Sequence, residues 1–212
     1  MRVETLEVGP VLTNCYLIGC EETNEGLLID PGGDPDRVLR MVEGAGVKVD
    51  RILNTHGHAD HIAGNAAVQR KLGCRILIHE ADAAMITSRT TSLLDWIPDG
   101  EPSPPADELL SDGDTLGVGR LEFTIVHLPG HTPGGIGLLN AEACLTGDTL
   151  FAGSIGRTDL PGGSEDVLFR TLAERIAPLD DALTLYPGHG PSTTIAREKE
   201  RNPFLRMAMG LR

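Results

Sequence analysis

Apolar positions along this chain fall into short runs, each cut off by a cluster of glycine, proline or polar residues. Arg2 to Val8, Thr13 to Ile18 and Glu25 to Ile29 predict three strands, the first two joined at Gly9-Pro10 and the third ending at Asp30-Pro31-Gly32-Gly33. Such a start is a β-meander. The spacing then changes to that of a helix over 35–43, with Asp34 as its cap, Val38, Leu39 and Val42 on the buried face, and Gly44 and Gly46 ending it. Val49 to Asn54 predicts a strand, Ile62 to Leu72 a helix, Arg75 to His79 a strand and Ala81 to Ile86 a short helix. Strands alternating with helices imply a partly parallel sheet with helices outside it.

The pattern breaks from Ser88 to Asp112, where Pro98, Pro102, Pro104 and Pro105 follow one another around Leu93, Leu94, Trp96 and Ile97. A loop of this length inside a compact domain is either a lid or binding element or a surface excursion whose Trp96 covers the core. Strands resume with Thr115-Leu116, Leu121 to Val126, Ile136 to Leu139 and Ala143 to Thr146. Ser164 caps a helix carrying Val167, Leu168, Leu172 and Ile176, and Leu183 to Tyr186 is the last strand. A polar helix follows, separated by Asn202-Pro203 from a short terminal one.

At 212 residues the chain is long enough for one large α/β domain, taken as 1–212, with a substantial core. Its 18 Lys and Arg against 31 Asp and Glu give a net charge of −13, which argues against a nucleic-acid partner. No apolar run is long enough for a bilayer, and the first residues lack a cleavage signal, so the expected location is the cytoplasm, away from membranes. Oligomeric state is not legible. Cys15, Cys20, Cys74 and Cys144 lack the spacing of a redox or zinc pair and read as buried free thiols.

Chemistry is concentrated in Thr55-His56-Gly57-His58-Ala59-Asp60-His61. His56 and His58, two apart in extended backbone, project to one side and can grip one ion together. Asp60 and His61 must turn elsewhere, toward a second ion, with Gly57 letting the backbone kink. His131, Asp148 and His189 each stand at a strand end beside glycine, which completes a set of seven candidate ligands. His79 and His127 lack that setting and read as structural. Asp30, a charge at the end of an apolar strand, is either a turn former or a carboxylate that orients a metal-bound histidine.

The order of these motifs resembles the metallo-β-lactamase superfamily along nearly the whole chain. That resemblance implies an α/β fold, a four-layer αββα sandwich with metals at one edge of two packed sheets. It further implies that His56, His58 and His131 hold a first ion, that Asp60, His61 and His189 hold a second, and that Asp148 bridges them. Two divalent ions are expected, zinc by default, with iron and manganese as alternatives. The stretches Gly147-Asp148-Thr149-Leu150-Phe151 and Gly156-Arg157-Thr158-Asp159-Leu160-Pro161-Gly162-Gly163 are most similar to the glyoxalase II branch, as is Asn202-Pro203-Phe204. Longer members add a C-terminal helical domain with glutathione contacts, and no such domain is expected here.

The activity so implied is hydrolysis of a small thioester, such as S-lactoylglutathione to lactate and glutathione. Two ions about 3.5–4 Å apart share a hydroxide whose pKa is lowered to roughly 7, and Asp60 and Asp148 hold that catalytic pair. A thiol of pKa about 8.5 departs without the proton an amine needs, so the site requires no obvious general acid. Persulfide dioxygenases are similar as well, with one iron on His56, His131 and Asp148. A lactonase or generalist hydrolase is a further alternative. Arg157 stands where longer glyoxalase II proteins carry a basic residue that contacts a glutathione carboxylate; it either anchors substrate or pairs with Asp159.

Overall fold

A computed structural model describes residues 1–98 and 100–211; Asp99, inside the predicted loop, lies outside the described residues. The first half forms one sheet from β1 (Arg2–Val8), β2 (Thr13–Gly19), β3 (Glu25–Ile29), β4 (Lys48–Leu53), β5 (Arg75–His79) and β6 (Glu108–Leu110), in that order. β1 to β3 are an antiparallel meander, and β3 to β6 run parallel, connected through α1 (Pro35–Ala45), then α2 (Ala59–Ile62) and α3 (Asn65–Leu72).

The second half repeats the plan. β7 (Thr115–Val118), β8 (Leu121–His127), β9 (Ile136–Leu139) and β10 (Ala143–Gly147) are antiparallel. A small hairpin, β11 (Leu150–Phe151) with β12 (Ser154–Ile155), and α4 (Glu165–Thr171), continued to Ile176 as a wider helical turn, come next. β13 (Thr184–Pro187) joins β10 in parallel, β14 (Thr193–Thr194) closes the edge, and α5 (Ile195–Arg201) and α6 (Pro203–Ala208) complete the chain.

Neighbouring residues on a strand point to opposite faces, so a sheet covered on both sides needs apolar residues in succession. Ile18, Ile29, Leu53 and Leu77 face inward against Phe123, Ile125, Leu138 and Leu145 of the second sheet. Leu17, Leu28, Ile52 and Ile76, one position away, pack outward against Val38, Val42 and Val68 of α1 and α3. On the far side Val126, Cys144 and Leu185 meet Leu172, Ile176, Ile195 and Leu205. The result is the predicted sandwich, helices outside two sheets packed face to face. All four cysteines are buried and free, as expected. No described helix is long and apolar enough to cross a membrane.

Three local expectations change. The helix predicted from Ile62 to Leu72 is broken at Ala63-Gly64, where the Gly64 N–H donates to the Pro31 carbonyl at 2.8 Å rather than to the preceding helical turn. Asp34 stands at the N-cap of α1 in left-handed backbone, yet its carboxylate accepts from Gly9 N–H and Arg37 rather than from the helix. Within 88–112 the chain turns helically through Leu94–Trp96 and ends in β6, and Leu94, not Trp96, fills the core. Trp96 is 64% exposed.

Candidate metal centre

Parallel pairing brings the carboxyl ends of β3 and β4, and of β10 and β13, to one rim, the place where α/β sheets present loops to a ligand. Asp30 follows β3, the His56–His61 segment follows β4, Asp148 follows β10 and His189 follows β13, while His131 lies between β8 and β9. All seven sequence-predicted ligands converge there. His56, His58 and His131 form one group, Asp60, His61 and His189 another, and His56, His61 and Asp148 join the two, with ligand atoms in each group within 4.8 Å of one another.

His58 Nδ1 lies 2.8 Å from His131 Nε2. Asp148 reaches both groups, its oxygens 3.4 Å from His61 Nε2, 3.6 Å from His131 Nε2 and 3.5 Å from His189 Nε2. Asp60 Oδ2 is 3.2 Å from His189 Nε2 and 3.5 Å from His61 Nε2. Ligands about 2.0–2.2 Å from an ion in tetrahedral array are themselves about 3.3–3.6 Å apart, so most of these separations suit a common ion. His56 Nε2, His61 Nε2 and Asp148 Oδ1 are buried without a hydrogen-bond partner. Orphaned polar atoms of this kind are costly unless a cation meets them. The residues fit a metal.

Electrostatics divide the cluster. Burial, then the neighbouring imidazoles, pushes His56 well below the ordinary histidine pKa, and burial with His131 beside it brings His58 down to about 3. Burial would lower His61 too, but Asp60, Asp148 and Asp30 outweigh it and raise its pKa well above the usual value. At His189, burial is likewise overcome, by the hydrogen bond to Asp60 and the charge of Asp148.

Surrounding groups hold the ligands. Asp30, fully buried, accepts from Thr55 N–H at 2.8 Å and Thr55 Oγ1 at 2.6 Å, and its Oδ2 is 2.9 Å from His61 Nδ1. With that proton on Nδ1, Nε2 is left as the metal-facing nitrogen. His131 Nδ1 donates to the Arg157 carbonyl at 2.7 Å. The Arg157 side chain is doubly bonded to Asp159, at 2.7 and 2.8 Å, on the exposed surface. A Cβ on Gly188 would fall on the Asp148 carboxylate and the His61 ring, so only glycine lets the His189 turn approach.

Several contributors escape the sequence reading. Asp82, completely buried, accepts from Gly57 N–H at 3.0 Å and Gly134 N–H at 2.6 Å, tying the His58 loop to the His131 loop. Its placement just past a strand end, like that of Asp30, is the signal that could have marked it. Asn14 Nδ2 donates to the carbonyls of Pro187 and Gly190 around His189, and Thr13 Oγ1 lies 3.2 Å from Asp60 Oδ2. His79 and His127 stack at 4.2 Å away from the cluster, with His127 Nε2 donating to the Pro133 carbonyl at 2.8 Å, in keeping with a structural role.

His58, Asp60, His131, Asp148 and His189 form the floor of an open cavity of about 510 Å³. The sequence profile of the metallo-beta-lactamase superfamily matches residues 8–189. This chain belongs to the metallo-β-lactamase superfamily. It is 35% identical to hydroxyacylglutathione hydrolase GloC of Haemophilus influenzae over 209 residues, 97% of this chain and 98% of that protein. Among solved structures it resembles TTHA1623 in a di-iron-bound form (TM-score 0.85, 33% identity, 95% of this chain and 99% of that one). It also resembles ETHE1 from Myxococcus xanthus (TM-score 0.83, 30% identity, 99% and 88%). Superfamily and cluster together describe a metal-dependent hydrolase with a divalent metal site.

Proposed function

We propose that this protein hydrolyses thioesters with two divalent ions, in the manner of a hydroxyacylglutathione hydrolase. One observation carries the reading: two groups of ligands share a central carboxylate at the floor of a cavity sized for a small molecule. His56, His58 and His131 would hold one ion, Asp60, His61 and His189 the other, and Asp148, whose carboxylate lies near His131 of the first group and His61 and His189 of the second, would serve both. The identity to GloC supports a thioester of glutathione type as the first substrate to try.

When bound, the ions supply a nucleophile from water near neutral pH and polarise the substrate carbonyl. The chain's own part is placement. Asp30 keeps the His61 proton on Nδ1, the Arg157 carbonyl does the same for His131, and Asp82 fixes the two loops against each other. Ser92 is the one hydroxyl side chain among the described residues lining the cavity, and its Oγ donates to the Ser88 carbonyl at 2.7 Å, so it is not poised as a nucleophile. A thiol of pKa about 8.5 leaves as thiolate without a dedicated acid.

The likeness to ETHE1 favours a second reading, an iron-dependent glutathione persulfide dioxygenase that uses His56, His131 and Asp148. Measuring metal content, S-lactoylglutathione hydrolysis and oxygen uptake with glutathione persulfide on one preparation separates the two. Hydrolysis with two ions per chain is the expected result. Oxygen uptake by a form fully active with one iron overturns it.

A further inference from the structure

The cavity is charged at its floor and apolar at its mouth. Leu93, Trp96 and Ile97 form one wall, and Val11, Phe151 and Leu160 stand among the other lining residues. Val11 and Trp96 are large apolar side chains left in water, a cost that usually marks a surface meant to be covered.

The Trp96 wall is held in place by its neighbours. Leu94 is buried in the core, Ala59 N–H at the start of α2 donates to the Ser92 carbonyl at 2.7 Å, and Arg89 pairs with Asp95 at 2.8 Å. Leu93 adopts φ 63°, a left-handed conformation that a side-chain-bearing residue keeps only where the surroundings impose it. The wall is thus pinned to the same helix that begins inside the metal segment.

Charge points the same way. Among the described residues lining the cavity, Arg157 is the one fixed cation, and Asp159 already engages it twice. Glutathione carries two carboxylates, and with Arg157 engaged no further fixed cation among the described lining residues receives them. An apolar arm needs no such partner and removes Trp96 and Val11 from water.

Resting on the hydrolase reading above, we propose that the preferred substrate is a thioester bearing an unbranched apolar acyl chain, seated against Leu93, Trp96 and Ile97. In the reaction the oxygen of water forms the new bond to the acyl carbon, the carbon–sulfur bond breaks, and the thiolate takes up a proton. The wall touches only the chain and sets specificity.

Metal-loaded enzyme is assayed on N-acetylcysteamine thioesters of acetate, hexanoate and octanoate, and on S-lactoylglutathione. From acetyl to octanoyl, kcat/KM should rise about tenfold or more, chiefly through KM, since each buried methylene contributes about 0.8 kcal/mol at most. S-Lactoylglutathione should fall below octanoyl, and Trp96→Ala should lower the octanoyl-to-acetyl ratio about fivefold. A flat series, or S-lactoylglutathione as the best substrate, overturns the proposal.

Binding is read separately on metal-free protein, where Trp96 is the only tryptophan and reports by fluorescence. The octyl thioether of N-acetylcysteamine should bind at least about tenfold tighter than the methyl thioether, and Ile97→Ser should weaken it. Octyl binding without hydrolysis of any thioester removes the hydrolase reading and leaves the apolar wall. Equal binding of the two thioethers refutes the wall whatever the chemistry.

Discussion

His56, His58 and His131 make one end of the cluster entirely from imidazole, whereas Asp60, His61 and His189 make the other from a carboxylate and two histidines, and both ends reach the same cavity. At the imidazole end, His56 and His58 are held neutral, ready to ligate without losing a proton. At the mixed end, His61 and His189 are pushed toward the protonated form, and His189 is 26% exposed. The same donor type therefore behaves oppositely a few ångströms apart, and the reason is the carboxylates. An ion at the mixed end would compete with the protons on His61 and His189, whereas His56 and His58 would offer unprotonated nitrogens at the other end.

Asp148 is the group the two ends have in common, so Asp148→Ala should have the largest effect. Hydrolysis should fall more than about a hundredfold and bound metal below two ions per chain, measured by elemental analysis beside kinetics. Retention of both ions would mean that the ends are independent.

Asp30 touches one end directly, at His61, and the other only through Thr55, whose hydroxyl lies 3.2 Å from His56 Nδ1. Asp30→Ala strands the Thr55 N–H and hydroxyl and frees the His61 tautomer, and it should weaken binding of one ion by about 10–100-fold while the other is largely spared. Competition with a chelator on the variant checks this. Equal loss at both ends would assign Asp30 to the fold rather than to His61.

Lowering the pH should sharpen the contrast by a smaller step. His61 has a raised pKa, so below that value each unit of pH added to the proton's advantage costs the mixed end about tenfold in affinity. His58, at about 3, holds no competing proton between pH 8 and roughly 5. Calorimetric titration at a series of pH values should show the mixed-end site fading as pH falls, with protons released as that site fills.

Arg157→Ala should do least. Its side chain is spent on an exposed pair with Asp159, and its carbonyl, which orients His131, survives the substitution. Rates on S-lactoylglutathione and on a plain thioester should drop alike, by less than about threefold; a KM rise confined to the glutathione substrate would show that Arg157 anchors a carboxylate after all.

Ligands were legible in the sequence because their chemistry is local: a histidine or aspartate beside glycine at a strand end announces itself within a few residues. Alternating and continuous apolar runs likewise made the two sheets readable. What holds the ligands was not. Asn14 reaches the Pro187 carbonyl across 173 residues of sequence, and Asp82 joins Gly57 to Gly134, contacts that exist only once the sheets have packed. Asp82 was hidden inside an apparent helix, and the Arg157 carbonyl has no side-chain signature at all. Trp96 could be read either as core or as cavity wall, and only its exposure decides.

A two-ion centre whose ends differ can be followed by stepwise zinc titration of metal-free protein, with bound ions and thioester hydrolysis recorded together at neutral pH. The expected course is tight binding of a first ion with little activity, then a weaker, proton-releasing second ion with which activity appears. Full hydrolysis at one ion per chain, or two ions indistinguishable in affinity and proton release, would contradict it.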